Sequence, residues 1–213
     1  MKKKPLLVIL VILLFAGASY VLGWSSILTV REIKITGTNA YLVQYVSKGE
    51  RLARVESRSI EALYKEIDFI KDVQVSRNWL TGTVSIAITE RTPIAIYNNM
   101  YIDAEGKSFP KVAAQDKHLP TIYAPEAQKA VTAVALYNEL PTEVTDHLTK
   151  LTVTSDENYL LEINAGNRTM HVRWGTSIEN TLKAKVYLAL MQRPENSKIT
   201  VVDLTAPHAP IVK

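Results

Sequence analysis

Hydrophobic and polar positions follow three regimes along this chain, and each predicts a different kind of element. Residues 5–24 (PLLVILVILLFAGASYVLGW) form a run of 20 positions without a charge. A helix of about 20 residues spans roughly 30 Å, the thickness of a bilayer's hydrocarbon core. Lys2, Lys3 and Lys4 precede the run, and Tyr20 and Trp24 sit near its far end, where interfacial aromatics anchor a membrane helix. The pattern predicts a membrane helix over 5–24, a cytoplasmic tail over 1–4, and everything after about Ser25 outside. The same ingredients fit a cleaved signal peptide, with Ala16-Gly17-Ala18 as the cleavage site. Apolar character that continues through Tyr20, Val21 and Leu22 favours the retained anchor.

Beyond the anchor the period changes. Residues 28–36 (LTVREIKIT) alternate around Val30, Ile33 and Ile35, which reads as a strand closed by Gly37-Thr38-Asn39. Residues 41–46 read as a short helix. Ser57 or Ser59 then caps a second helix, in which Ile60, Leu63, Tyr64 and Ile67 make one apolar stripe. Val73 and Val75 alternate up to Asn78, Leu80-Thr81-Gly82 turns the chain, and Val84, Ile86 and Ile88 alternate again. The order is β-α-α-β-β over 28–93, with helices on one side of a three-stranded sheet. Residues 90–96 read as continuous strand apart from Pro93, so a stiff rod with a shared or abutting sheet is expected.

The second region, 94–206, opens with a strand at 94–97, a turn at Asn98-Asn99, Tyr101-Ile102, and a turn over 103–106 into 107–109. Pro125-Glu126 opens a helix to about Leu140 with Ala127, Val131, Val134 and Tyr137 on one side. Three strands follow at 151–154, 159–164 and 169–174. Thr176 with Glu179 forms a candidate capping box, and the helix after it groups Ile178, Leu182, Val186 and Ala189. Residues 199–204 read as the last strand. Pro207 and Pro210 lie in the final stretch, 207–213, which reads as a tail. The fold class is α+β: a transmembrane helix, a β-α-α-β-β domain, and a mixed α/β domain with a mainly antiparallel sheet.

Composition narrows the function classes. The formal net charge is +4, but three of the 25 basic residues sit in the first four positions. Setting them apart leaves 22 basic against 21 acidic residues, so no nucleic-acid partner is expected. The absence of cysteine removes disulfides, thiolate metal sites and Cys nucleophiles. No phosphate loop, His-Glu-x-x-His or Gly-x-Ser-x-Gly is present. His118, His147, His171 and His208 lack ligand spacing. Asp103, Glu105 and Gly106 read as a turn rather than a calcium loop. Arg173 and Trp174 read as a strand end that is either core or binding surface. No catalytic, metal or cofactor residue and no small-molecule substrate is expected. What remains is work by contact: a terminal strand near residues 199–205 places backbone groups at a sheet edge, where a partner strand adds, unless that strand is internal.

The strand VREIKITG directly after a membrane helix resembles the start of a POTRA domain. The runs IKDVQVSRNW (70–79), VSIAITERTPIA (84–95), YIDAEGKSF (101–109) and VVDL (201–204) resemble, in that order, the FtsQ/DivIB family of bacterial cell-division proteins. The resemblance implies a non-enzymatic divisome scaffold in the inner or plasma membrane at the septum, single-pass, with its bulk outside. It implies a POTRA domain over 28–93 and a β domain over 94–206 that binds FtsB/DivIC-like and FtsL-like coiled-coil proteins. It places partner binding on Thr200, Val201, Val202, Asp203, Leu204, Thr205 and Ala206, where a charge or proline at Val201 or Val202 is expected to abolish binding with the domain still folded. Recruitment falls on Glu90, Arg91, Thr92, Pro93 and Ile94. Two features depart from relatives: a short stretch before the anchor, and Thr205 and Ala206 where an arginine and an aromatic often stand. A POTRA protein of another envelope assembly process, or the binding module of an envelope enzyme, is the alternative.

Overall fold

The computed structural model describes residues 3–23, 28–111, 118–154 and 156–213; the interfacial role expected of Trp24 lies outside them. Two compact units form, Met1–Arg91 and Thr92–Lys213. The first begins with helix α1 (Lys3–Gly23), 21 residues long. Among the described residues no helix is long and apolar enough to cross a membrane; within α1 the described side chains are those of residues 8–20.

The rest of the first unit is β1 (Glu32–Thr36), a 3₁₀ turn at Leu52–Arg54, α2 (Ser57–Lys65), β2 (Ile70–Asn78) and β3 (Thr83–Glu90). Among the described residues these strands make a three-stranded sheet in the order β1-β3-β2, with β1 parallel and β2 antiparallel to the central β3. Val73, Val75, Val84, Ile86 and Ile88 point into a core completed by Ile60 and Tyr64 of α2 and by Val46, Leu52 and Val55. The alternation of β2 and β3 is therefore as the sequence reads.

Three expectations for this unit fail. Residues 41–46 are not helical. Thr38 Oγ1 takes the Ala40 N–H, the Val43 carbonyl accepts the Tyr64 hydroxyl at 2.8 Å, and the Tyr45 ring meets Tyr64 edge-on with centroids 4.9 Å apart. A helix would engage that carbonyl within itself. The cap of α2 is Glu56, without a side-chain cap bond; Ser59 instead donates to the Glu56 carboxylate. Residues 90–96 are not one strand, because Arg91 N–H and Nε–H turn back to the Phe69 and Asp68 carbonyls and the next strand begins at Pro93 in a separate sheet.

The second unit runs β4 (Pro93–Tyr97), β5 (Met100–Asp103), β6 (Ser108–Phe109), β7 (Thr121–Tyr123), α3 (Ala127–Glu139), α4 (Thr142–Thr145), β8 (Leu148–Val153), β9 (Tyr159–Asn164), β10 (Thr169–Gly175), α5 (Asn180–Met191), a 3₁₀ turn at Pro194–Asn196, β11 (Val201–Asp203) and β12 (Ile211–Val212). Among the described residues these strands form a nine-stranded sheet, β12-β11-β10-β9-β8-β7-β4-β5-β6. It is mixed but mainly antiparallel, with parallel pairings only at β4–β7, β7–β8 and β10–β11. Asn98 and Asn99 both take positive φ (47° and 63°), which lets a two-residue hairpin turn follow the strand twist.

α3 and α5 pack on one sheet face over Leu151, Leu161, Ile163, Met170, Val172, Trp174 and Val202. Their buried faces differ from the sequence reading. In α3 the buried positions are Ala130, Ala133, Val134 and Leu136, while Val131 is exposed. In α5 they are Asn180, Lys183, Ala184, Tyr187 and Leu190. Ile178 precedes the helix and is 64% exposed. No capping box forms: Glu179 is itself the cap, left-handed at φ 56°, and the Thr176 carbonyl accepts Lys183 Nζ at 2.8 Å. Lys183 is only 2% exposed, and burial holds its pKa below the ordinary lysine value, against the pull of Glu179.

Trp174, fully buried, donates its indole N–H to Asn180 Oδ1 at 2.8 Å; Asn180 Nδ2 donates to Ser177 Oγ and to Glu139 of α3. Asn180→Ala leaves a buried indole N–H without an acceptor and is expected to cost about 1–3 kcal/mol. A lowered midpoint in urea denaturation of the full chain checks it, and an unchanged midpoint contradicts the role given to Asn180.

Candidate functional site

The face of the nine-stranded sheet opposite α3 and α5 carries the partly exposed positions of β7 to β11. Cross-strand register aligns them in two rows. One runs Val201–His171–Glu162–Lys150–Thr121; the other runs Asp203–Arg173–Leu160–Thr152–Tyr123. Glu162 lies between two basic side chains, 3.2 Å from Lys150 Nζ and 4.0 Å from His171 Nδ1. Lys150 Nζ also stands 4.8 Å from the Tyr123 ring centroid, and Arg173 lies 3.6 Å from Asp203. Leu160 is exposed among these charges, and the two rows border a shallow depression of about 220 Å³. A mixed apolar and charged surface of this kind suits contact with another protein.

This face continues to the sheet edge, where the sequence placed its binding strand. β11 is not that edge. On one side it pairs in parallel with β10, and on the other antiparallel with β12, Val202 opposite Val212 and Asp203 opposite Ile211. Val201 and Lys213 exchange both backbone bonds, each at 3.0 Å, and Thr200 N–H also reaches the Lys213 carbonyl. In an antiparallel ladder the next pair is then the non-hydrogen-bonded one, so Val212 turns its N–H and C=O away from β11. Val202 and Leu204 are fully buried. A charge at Val202 therefore disrupts the core rather than selectively removing a partner. Thr200, Thr205 and Ala206 are exposed, and Val201 and Asp203 are partly so.

The five residues expected to act in recruitment are divided between the units. Glu90 and Arg91 close the first, whereas Thr92, Pro93 and Ile94 open the second, with Pro93 buried and paired to Asp103. Trp174 is core, so of the Arg173–Trp174 pair only Arg173 faces solvent. Asp103 Oδ1 accepts the N–H groups of Glu105 and Lys107, which makes 103–107 a closed turn. Among the described residues no three His, Asp or Glu side chains converge as metal ligands.

A family model described as "Cell division protein FtsQ/DivIB, C-terminal" matches residues 95–205, just over half the chain. The chain belongs to the FtsQ/DivIB family. Relatives include the Cell division protein FtsQ of Streptomyces bingchenggensis, 30% identical over an alignment covering 94% of this chain and 82% of that protein. The FtsQ of Streptomyces venezuelae is 28% identical, covering 94% and 80%. That of Mycobacteroides abscessus is 24% identical, covering 98% and 69%. This FtsQ/DivIB chain is thus a non-enzymatic cell-division protein that functions with other divisome proteins. The matched segment takes in both outer-face rows and ends at Thr205, where β11 leaves the sheet.

Asp203 marks that end. Burial raises its pKa, but hydrogen bonds from Thr205 Oγ1–H (2.7 Å) and N–H (3.0 Å), with the Arg173 charge, outweigh it and leave the carboxyl below its ordinary value. Its stabilising contacts are then complete above the unfolded carboxylate range near about 4 and are lost as pH falls through the lower folded value. Asp203→Asn is expected to lose less stability than the parent between about pH 5 and pH 2. Thermal midpoints against pH check this, and parallel curves would exclude Asp203 as a contributor.

Proposed function

We propose that this FtsQ/DivIB protein is a membrane-anchored divisome scaffold whose second unit captures an extended segment of an FtsB/DivIC-like or FtsL-like coiled-coil partner. The observation that carries the reading is the edge of the nine-stranded sheet: β12 is two residues long and Val212 directs a donor and an acceptor outward. The partner strand lies beside β12. Its side chains continue onto the outer face past Val201, Asp203, Arg173 and His171, so part of the 200–206 segment contributes through side chains and the rest by holding β12 in place.

The anchor is α1. Its 21 residues extend about 30 Å. Val8 to Phe15 are exposed and belong to neither hydrophobic core. Residues 5–24 carry no charge, and lysines stand before them. The first unit, with its β1-β3-β2 sheet and covering α2, is the POTRA domain of this reading, and residues 90–94 contribute to recruitment. An N-terminal fluorescent fusion is expected to concentrate at the septum of dividing cells; an even envelope distribution of a functional fusion would remove the division-site role.

Val212→Pro deletes the outward donor without cutting a bond to β11 and is expected to weaken partner binding about tenfold. Val212→Thr retains the N–H while altering the same partly buried side chain, and is expected to bind as the parent does. Binding of the full chain to the partner's extracellular segment, measured by isothermal titration, checks both. Equal affinity for the proline variant and the parent would place the partner elsewhere.

A further inference from the structure

The most exposed apolar tip of the first unit, apart from α1 and the 41–45 loop, is the β2–β3 turn. Leu80 is 93% exposed and Trp79 38% exposed. The turn is firmly built. Asn78 Oδ1 accepts the N–H groups of Leu80 and Thr81 at 3.0 and 3.2 Å, Gly82 N–H returns to the Asn78 carbonyl at 2.9 Å, and Thr81 Oγ1–H meets Thr83 Oγ1. Leu80 is thus held out in water by a turn whose backbone bonds are made, and a lone exposed leucine would need no explanation. Its position gives it one.

The Gly82 carbonyl accepts the N–H of Arg31 at 2.8 Å and of Glu32 at 3.4 Å. A Cβ on Gly82, whose φ is +75°, would stand 2.7 Å from the Thr29 carbonyl oxygen and 2.9 Å from Arg31 Cγ. On its other side Leu28 accepts the Leu52 N–H at 3.0 Å. The turn is therefore locked against residues 28–31, the segment through which the chain enters this unit. Leu28 follows Gly23, the last residue of α1, by five positions, a reach of at most roughly 17 Å.

Cations flank the tip. The Arg77 guanidinium stands 5.3 Å from the Trp79 ring centroid and donates to the Leu52 and Val55 carbonyls. This places the 3₁₀ turn carrying exposed Arg54 beside it. The Arg31 side chain lies over Gly82. Glu32 pairs with Lys34 and accepts from Thr83 Oγ1, and Glu50 accepts the Ser47 N–H. A tryptophan and an exposed leucine with Arg77 and Arg31 beside their turn match the headgroup layer, where amphipathic rings and cationic side chains sit together.

We propose that the turn at residues 79–81 seats in the interfacial layer of an anionic phospholipid leaflet and so fixes the orientation of the first unit against the membrane. This rests on α1 being the anchor. The chain has no cysteine, so single labels can be placed in the full protein as Leu80→Cys, as Phe15→Cys within α1, and as Thr36→Cys at the opposite end of β1. Each carries an environment-sensitive nitrobenzoxadiazole dye. The protein is reconstituted in phosphatidylcholine vesicles with and without phosphatidylglycerol, and lipid-borne nitroxide serves as quencher.

The expected result is blue-shifted, quenchable emission at positions 15 and 80 and water-like emission at 36, with the shift at 80 larger when phosphatidylglycerol is present and reduced by Arg31→Gln. Lipid-like emission at 15 with water-like emission at 80 overturns the inference while the anchor stands. Water-like emission at 15 removes the anchor itself. An equal shift at 80 in both vesicles overturns the anionic preference. Shielding of position 80 that appears only on adding partner proteins assigns the turn to a protein interface instead.

Discussion

A buried indole must find an acceptor for its N–H, and the way Trp174 does so ties the second unit together. Trp174 is the last residue but one of β10, its ring lies in the core, and its acceptor is Asn180, the first residue of α5. Asn180 in turn reaches Glu139 at the end of α3. Strand, crossover helix and neighbouring helix thus share one polar node that is buried at Trp174 and Asn180, where an unmade bond is costly, and reaches the surface at Glu139. β10 and β11 are parallel, so the chain between them must cross over the sheet face, and α5 is that crossover. Where α5 begins decides where β11 lies, and β11 decides where β12 can pair. The sheet edge proposed to receive a partner is therefore set by a tryptophan two strands inward.

Much of this was legible wherever period and burial agree. β2 and β3 bury alternate residues, and Ile60 and Tyr64 of α2 face their sheet, because both elements have one wet and one dry side. In the second unit the spacing finds only part of each buried face: Val134 and Tyr137 of α3 lie on the core side as it predicts, Ala127 and Val131 do not, and the reason is visible in the composition. Ala130 and Ala133 give little hydrophobic contrast although both are buried, and the larger Val131 is left outside. In α5 the buried face includes Asn180 and Lys183, polar residues whose burial depends on partners distant in sequence or on a carbonyl one turn before the helix. Hydropathy alone cannot find such a face.

The sheet edge lies one strand beyond the one the sequence predicts. Pro207 and Pro210 lack the donor a ladder needs, which made 207–213 look like a tail. The prolines occupy only the connection, and Ile211 and Val212 lie beyond them, bonded back on β11. A two-residue strand has no period to detect. The rows on the outer face were hidden for a related reason: Lys150, Glu162 and His171 are neighbours through register, and register depends on turns and bulges as well as on sequence pattern. The VVDL run itself contains β11, the strand on which β12 pairs.

The shortness of β12 constrains how any partner can bind there. A long, flat edge would offer a full ladder to every exposed strand and would invite aggregation. Here the outermost strand is two residues long, preceded by Pro210, and it presents Ile211 to solvent. Backbone pairing at Val212 supplies few bonds, so it cannot by itself discriminate one extended segment from another. On the proposed reading, discrimination comes from side chains on the adjoining outer face, where Arg173 beside Asp203 and Lys150 between Glu162 and Tyr123 fix charges at set spacings across neighbouring strands. An edge that offers few backbone bonds and relies on its face, as proposed, suits an assembly whose members must join in one arrangement and not with themselves.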